Sequence, residues 1–256
     1  MRKRELLVGC SLLMLAMVSS CGTHYRLANV ERSRILIDKR YDVQPDERAA
    51  AFLAPYKVAV DSIMEPEVGT IAKYMAAQRP ESELSNLLAD ILVWGGKDYG
   101  EQPVMAVYNI GGIRASFAEG KVTYGNVNDV APFGNKICFL TLTGTQLKEL
   151  FTQIASRGGE GVSHGVTMEI TPDGRLLSAR LNGQEIADNE TYRIATLDYL
   201  AQGNDKLLAF KKGTNLNSPQ TTENNVRFII MNYFREQKRM GKAVDAQMEG
   251  RIVIKE

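Results

Sequence analysis

The sequence predicts an α+β domain, and two observations lead to this class. Amphipathic helical segments and short strand segments alternate irregularly, without the regular strand–helix spacing of a doubly wound parallel sheet. The strand segments follow residue 103, where turn signals such as Pro-Asp-Gly and Asn-Gly separate them. With 256 residues, of which 44% are hydrophobic, the chain is long enough to bury a sizeable core.

The first residues predict an export signal rather than part of the fold. Residues 1–20 combine a basic start, "MRKRE", with the apolar run "LLVGCSLLMLAMV", which is too short to span a membrane comfortably. The next residue is Cys21, and the ending "VSSC" resembles a bacterial lipobox. We therefore expect cleavage before Cys21, acylation of that cysteine, and anchoring on the periplasmic side of a membrane, with Gly22 favouring the outer membrane. A plain secretory signal with a chance cysteine is the alternative.

Residues 21–44 are predicted to be a polar leader that contains one short strand, "RILIDKRYDV". The domain is expected over residues 45–256. It begins with the helix "PDERAAAFLAPYKVAVDSIM", whose first turn holds Asp46 and Glu47, where the helix dipole favours acids. A second helix, "PESELSNLLADILVW", has Ser82 as its N-cap and one stripe of leucine and isoleucine.

The remaining elements are mostly strands. "PVMAVYN", "KVTYG" and "KICFLTLTG" predict three strands, with a loop after the second and the helix "TQLKELFTQIA" after the third. "GVTMEITPDGRLLSARLNGQEI" predicts a pair of hairpins, and "TYRIATLDYL" a further strand that carries an aromatic residue at its end. "TENNVRFIIMNYFREQKRM" predicts an amphipathic closing helix, and "GRIVIKE" a last strand.

Composition and residue counts argue against several kinds of chemistry. The formal charge of +1 gives no support for nucleic-acid binding. The only histidines, His24 and His164, cannot supply a two-metal site, and no Ser/His/Asp set is suggested. His164 is expected in a loop or on the surface. Cys138 lies in the apolar run "KICFLTLT", so we expect a buried packing residue there. The chain carries no recognisable catalytic constellation.

Residue types suited to a nucleotide occur in three places instead. "NIGGIR" places Gly111 and Gly112 before Arg114, a combination that lets backbone approach an anion and supplies a cation for it. "APFGNK" and "DYLAQGND" add two aromatic faces and an acid that can accept hydrogen bonds from vicinal hydroxyls. Each motif alone is more simply explained as ordinary turn or core structure. Together they offer a cation for phosphate, two surfaces for a base and a carboxylate for ribose.

The ordered series of these motifs resembles the C-terminal domain of the 5′-nucleotidase family. "NIGGIRASFAEGKVTYGNVNDVAPFGNKICFLTLTGTQLKELF" is similar to its Gly-Gly-Gly-Ile-Arg, Pro-Phe-Gly-Asn and Thr-Gly motifs, and "TYRIATLDYLAQGND" to the part that follows. The resemblance implies mixed sheets with flanking helices. It also implies that a base stacks between Phe133 and Tyr199, with Asn135 at the base edge and Asp205 on the ribose hydroxyls.

On the phosphate side the sequence departs from the family. The resemblance implies that Arg114 contacts phosphate, but Ile110 replaces the first of three glycines. Gln78 stands where the family has an arginine, with Arg79 beside it, and the loop Gly203–Leu207 lacks the usual Gly-Gly-Asp-Gly-Tyr pattern. The phosphate contacts are therefore expected to be weaker than in relatives.

The family's metal-binding catalytic domain has no counterpart in this sequence. We therefore expect no cofactor on this chain and a divalent metal pair on a separate metallophosphoesterase, in a split enzyme that hydrolyses nucleoside phosphates. The expected partners are a nucleotide or nucleoside, that second chain, and a membrane through the lipid anchor. A non-enzymatic nucleotide- or nucleoside-binding lipoprotein is the main alternative, and a structural domain with a decayed pocket is a third.

Overall fold

The computed structural model describes residues 27–41, 43 and 46–256. The expected signal peptide, Cys21 and the first part of the leader lie outside the described residues. The chain divides into two units, Met1–Phe52 and Leu53–Glu256, and all strands of the described chain belong to the second. In the first unit, Lys39–Tyr41 forms a single 3-10 turn.

The predicted α+β class is confirmed. The helices are α1 (Glu47–Met64), α2 (Glu83–Gly95), α3 (Tyr124–Val130), α4 (Gly144–Ser156), α5 (Asp198–Ala201) and α6 (Val226–Arg239). The strands are β1 (Glu67–Ile71), β2 (Met105–Tyr108), β3 (Gly120–Thr123), β4 (Ile137–Thr143), β5 (Gly161–Val162), β6 (Val166–Ile170), β7 (Leu176–Leu181), β8 (Gln184–Glu185), β9 (Thr191–Leu197), β10 (Thr214–Asn217) and β11 (Ile252–Ile254).

Three sheets organise these strands. The central sheet has the order β10-β4-β9-β2-β5, in which only the neighbours β2 and β9 are parallel. The second sheet has the order β11-β6-β7-β8, and β1 pairs with β3 in a two-stranded ribbon. Helix α2 packs against β2 and β5, while α4 contacts both β4 of the central sheet and β7 of the second. The core therefore lies on both sides of α4.

Local sequence explains most of these elements. Ser82 caps α2 as predicted, since its hydroxyl accepts from the Ser85 amide at 3.2 Å and the Ser85 hydroxyl accepts from the Ser82 amide at 3.1 Å. Asn182 and Gly183 both have positive φ, 51° and 76°, as the tight turn between β7 and β8 requires. Cys138 is fully buried on β4, as expected.

Three sequence-based expectations were wrong. Residues 34–41, the continuous described part of the expected strand "RILIDKRYDV", form no strand: residues 34–37 are irregular and Lys39–Tyr41 is a 3-10 turn. Their β-forming side chains have no sheet to pack on, and β propensity is expressed only in that context. The loop expected after "KVTYG" is helix α3, which Thr123 caps through its hydroxyl. Tyr199 lies in the short helix α5, after β9 has ended, rather than on a strand end.

Candidate functional site

A glycine turn follows the buried strand β2. Ile110–Gly112 forms one 3-10 turn, in which the Gly112 amide donates to the Asn109 carbonyl at 3.0 Å. The two glycines serve different purposes. A Cβ on Gly112 would lie 2.6 Å from Oδ1 of Asn109, whereas a Cβ on Gly111 would meet no atom within 4 Å. Gly112 is therefore required by packing, and Gly111 leaves open space on the surface.

That open space belongs to a pocket of about 210 Å³. Its lining residues come from four chain segments and are Asn109, Gly111, Gly112, Phe133, Asn135, Tyr199 and Asp205. Six of the seven residues that the sequence singled out for substrate are thus brought together here. Phe133 is 49% exposed and Tyr199 is 37% exposed, so both rings remain accessible to a ligand.

Arg114 is the predicted residue that does not line the pocket. Its side chain is exposed, and its Nη1 lies 3.4 Å from the carbonyl oxygen of Gly111. Its backbone amide donates to the carbonyl of Val130 at 3.0 Å, which fixes the chain behind the turn. The guanidinium therefore lies next to the glycine turn at the protein surface, outside the pocket.

Asp198 connects the loop that carries Phe133 with the first turn of α5, which carries Tyr199. Its carboxylate accepts from the backbone amides of Lys136 at 3.0 Å and Tyr199 at 2.8 Å, and its own amide donates to the Lys136 carbonyl at 2.9 Å. Arg227, in the first turn of α6, donates to the carbonyls of Pro132 at 2.6 Å and Phe133 at 3.1 Å. These contacts fix the backbone of the Phe133 loop and of α5, and so place Phe133 and Tyr199 beside the same cavity.

The acid of the pocket accepts two hydrogen bonds and forms one longer ion pair. Oδ2 of Asp205 accepts from Nδ2 of Asn109 at 2.8 Å and lies 3.8 Å from Nη2 of Arg157, while Oδ1 accepts from the Tyr199 hydroxyl at 3.2 Å. Burial and, next, the neighbouring charge of Asp205 raise the pKa of Tyr199, so the phenol stays protonated and donates at neutral pH. Asp205 and Lys206 adopt left-handed backbone conformations, with φ of 55° and 62°. The loop thus makes a left-handed turn at two residues that are not glycine.

Sequence reasoning missed Asn109 and Glu160. Asn109 is 4% exposed and orients Asp205, while its Oδ1 has no hydrogen-bond partner. Glu160 is buried behind the glycine turn and accepts from the Ile110 amide at 2.6 Å. Asn109 precedes the two glycines closely, so its position in the motif could have identified it. Glu160 is 50 residues away from the turn in sequence, and no local pattern marks it.

The described residues provide no other chemical centre of the types considered above. No group of three or more His, Cys, Asp or Glu in the described chain could hold a metal ion. His164 is exposed, as expected, with Nδ1 at 2.9 Å from Oε2 of Glu249. Burial raises the pKa of the Cys138 thiol to about 11. None of the helices in the described parts of the chain has the length and apolar character needed to cross a bilayer.

The known proteins with related sequences include nucleotide-processing enzymes. A sequence profile described as "5′-nucleotidase, C-terminal domain" matches residues 67–212. The trifunctional nucleotide phosphoesterase protein YfkN of Bacillus subtilis is 28% identical over 236 residues, which cover 84% of this chain and 16% of that protein. Snake venom 5′-nucleotidase of Crotalus adamanteus is 25% identical over 253 residues, which cover 86% of this chain and 41% of that enzyme.

Solved structures show the same fold. The 5′-nucleotidase precursor from Thermus thermophilus is 26% identical, with a TM-score of 0.70 over 82% of this chain and 43% of that chain. The NAD nucleotidase of Haemophilus influenzae, at 21% identity and a TM-score of 0.60, supports the fold alone. The chain spans less than half the length of each of these relatives. Because the profile covers more than half of the sequence, the chain belongs to the 5′-nucleotidase family, and the matched segment is that family's C-terminal domain.

Proposed function

We propose that this chain recognises the base and ribose of a nucleotide for a 5′-nucleotidase-type hydrolase. The observation that carries the proposal is the convergence of Phe133, Tyr199, Asn135 and Asp205 on one cavity. A base stacked on an aromatic side chain contributes about 1–3 kcal/mol in nucleic-acid binders. The Asn135 amide can pair with a base edge, and the Asp205 carboxylate can accept from both hydroxyls of a ribose.

Hydrolysis would require a second component. The described residues offer no set of metal ligands, so we derive no metal-dependent step within this chain. We propose that a metallophosphoesterase supplies the pair of divalent metals and the activated water. The contribution of this chain would be to hold the nucleoside in a fixed position, which lowers the entropic cost of reaching the transition state.

The proposed location is the bacterial cell envelope. Acylation at Cys21 would anchor the chain on the periplasmic side, with the outer membrane favoured by Gly22. The test is a Cys21→Ser variant, which should appear in the soluble periplasmic fraction, whereas the unaltered chain should stay with the outer membrane after fractionation. A variant that remains with the outer membrane would contradict the anchor.

A second candidate function is retention of nucleosides without hydrolysis. The position of Arg114 favours it, because the one arginine expected to contact phosphate lies outside the pocket. The two functions differ in their need for a partner. The first function would be supported if the chain co-purifies from envelope extracts with a metallophosphoesterase and the reconstituted pair hydrolyses AMP. The second would be supported if the chain binds nucleosides but shows neither of these results.

The pocket itself is tested by titration calorimetry with adenosine, AMP and UDP-glucose. We expect Phe133→Ala and Tyr199→Ala each to weaken adenosine binding by about 1–3 kcal/mol, or roughly 5–150-fold in Kd. Tyr74→Ala is the matched control, because Tyr74 is also an exposed aromatic, at 61%, and does not line this pocket. Equal affinities for all four proteins would refute the proposed base site. The purified chain should not hydrolyse AMP with Mn²⁺ or Zn²⁺, and turnover that Arg114→Ala abolishes would show that catalysis resides here.

A further inference from the structure

A buried carboxylate behind the pocket binds two arginines. The Glu160 side chain is 0% exposed, and its Oε1 accepts from Nη2 of Arg79 and from Nε of Arg157, both at 2.5 Å. Arg79 also donates to the Gly159 carbonyl at 2.9 Å. The arginine side chains are 34% and 20% exposed, so each reaches solvent only in part. Charge-assisted contacts of this kind are strong where water is excluded.

The same carboxylate is attached to the glycine turn. Its second oxygen accepts from the Ile110 amide at 2.6 Å, so the Glu160 side chain contacts the first residue of the turn directly. Arg157 reaches further and lies 3.8 Å from Oδ2 of Asp205, the acid that lines the pocket. Arg157 is therefore next to the ligand site and Arg79 is linked to the glycine turn through Glu160, but the charges of both arginines already face carboxylates.

The charges of Arg79 and Arg157 consequently face Glu160 and Asp205 without a ligand, while Arg114 lies at the surface outside the pocket. Among the seven lining residues the only charged group is Asp205, and none is a lysine or arginine. A nucleotide phosphate would bring about −1.5 to −2 charges close to this acid. The cavity of about 210 Å³ is also below the roughly 300–1,000 Å³ that is typical of sites for larger ligands. Size and charge both suit the uncharged base and ribose.

We propose that Glu160 is a specificity-determining residue that keeps Arg79 and Arg157 away from phosphate, so that the pocket selects the neutral nucleoside moiety. The proposal rests on the proposed function, since it concerns the ligand class of the same pocket. Glu160 acts through the two arginines and the turn and does not itself contact the ligand. In a hydrolytic complex, the phosphate would then be held by the partner.

Titration calorimetry of adenosine and AMP with the full chain tests the proposal. The unaltered chain should bind AMP no more tightly than adenosine, at low and at high salt alike. Glu160→Gln keeps an acceptor for the Ile110 amide but removes the charge. We expect it to raise the affinity for AMP relative to adenosine about tenfold, because a freed guanidinium can form charge-assisted bonds to phosphate.

Two further variants keep the test decisive if Glu160→Gln folds poorly. Glu101→Gln is the matched control. Glu101 forms a similar partly buried ion pair with Arg193, at 2.7 and 2.5 Å, and neither residue lines the pocket. The ratio of the affinities for AMP and adenosine should therefore be the same in this variant as in the unaltered chain. Arg79→Met alone should also leave the ratio of the affinities for AMP and adenosine unchanged. Added to Glu160→Gln, it should reduce the increase in AMP affinity that Glu160→Gln causes.

The outcomes separate this proposal from the proposed function. Failure of adenosine to bind the unaltered chain would refute the nucleoside site and this proposal with it. Adenosine binding accompanied by a clear preference for AMP that Arg79→Met abolishes would overturn only the role of Glu160. A folded Glu160→Gln variant whose ratio of AMP to adenosine affinity equals that of the unaltered chain would also overturn only the role of Glu160.

Discussion

The two glycines of the turn allow a paired test of stability and binding. Gly111→Ala and Gly112→Ala add the same methyl group to neighbouring positions. The methyl at Gly111 would meet no atom within 4 Å, whereas the methyl at Gly112 would lie 2.6 Å from Oδ1 of Asn109. Only the second substitution should therefore disturb the folded chain.

The size of each effect follows from these contacts. In Gly112→Ala, the 4% exposed side chain of Asn109 must move and release its 2.8 Å bond to Asp205. A hydrogen bond to a charged group contributes about 1.5–3 kcal/mol. For a chain of this size, such a loss lowers Tm by roughly 3–12 °C. Gly111→Ala should change the free energy of unfolding by no more than about 0.5 kcal/mol, as for surface substitutions in general.

Binding should respond in a different pattern. Gly111 lines the cavity, so its added methyl would occupy space that the ligand needs, at a cost of about 1–3 kcal/mol in affinity for adenosine. Gly112→Ala should weaken both stability and binding, because it displaces Asn109 and with it Asp205. Denaturant unfolding and adenosine calorimetry on both variants are the measurements. A Gly112→Ala variant as stable as the unaltered chain, or a Gly111→Ala variant with unchanged affinity, would refute this account of the turn.

Two further predictions concern the rest of the domain. The hydrogen bond from Arg193 lowers the pKa of Glu101 below its usual 4.5. The contribution of the Glu101–Arg193 pair to stability is therefore complete at pH values above 4.5, the usual pKa of the carboxyl group. It is lost as the pH falls through the lowered pKa of Glu101 in the folded chain. Urea unfolding should show Glu101→Gln destabilised by about 1–3 kcal/mol at neutral pH, with the difference shrinking in acid; a constant difference would argue against the ion pair. Cys138 is fully buried, and burial raises the pKa of its thiol to about 11. In a Cys10→Ser, Cys21→Ser variant, where Cys138 is the remaining cysteine, a thiol reagent should therefore not modify the native chain at neutral pH. Modification should occur once denaturant is added. Rapid labelling of the native chain would contradict the burial of Cys138.

Elements with strong local signals could be predicted from the sequence. The α2 helix combines a serine cap with an apolar stripe, and the β7–β8 turn contains Asn-Gly, so short-range energetics alone determines both structures. Strands β1, β5 and β10 were not predicted. They are two to five residues long and are defined by pairing with distant strands rather than by their own sequences.

The candidate site divides in the same way. The motifs around Gly111, Phe133 and Tyr199 identified six pocket residues, because their order along the chain resembles one family. The position of Arg114 could not be read from its motif, since its side chain, just after the turn, lies at the surface. An arginine can bind phosphate only if its guanidinium is not already paired with a carboxylate of the folded chain. That pairing depends on the tertiary structure.

The sequence by itself determined the α+β class, the family and the residue types offered to a ligand, because these depend on local periodicity and on motifs contiguous in the chain. The tertiary structure decided which charges remain available. It brings Glu160 from 50 residues away to the Ile110 amide and places two guanidiniums on that carboxylate. Electrostatic interactions depend on distance in space and on burial, and neither quantity is encoded in any short segment of the chain.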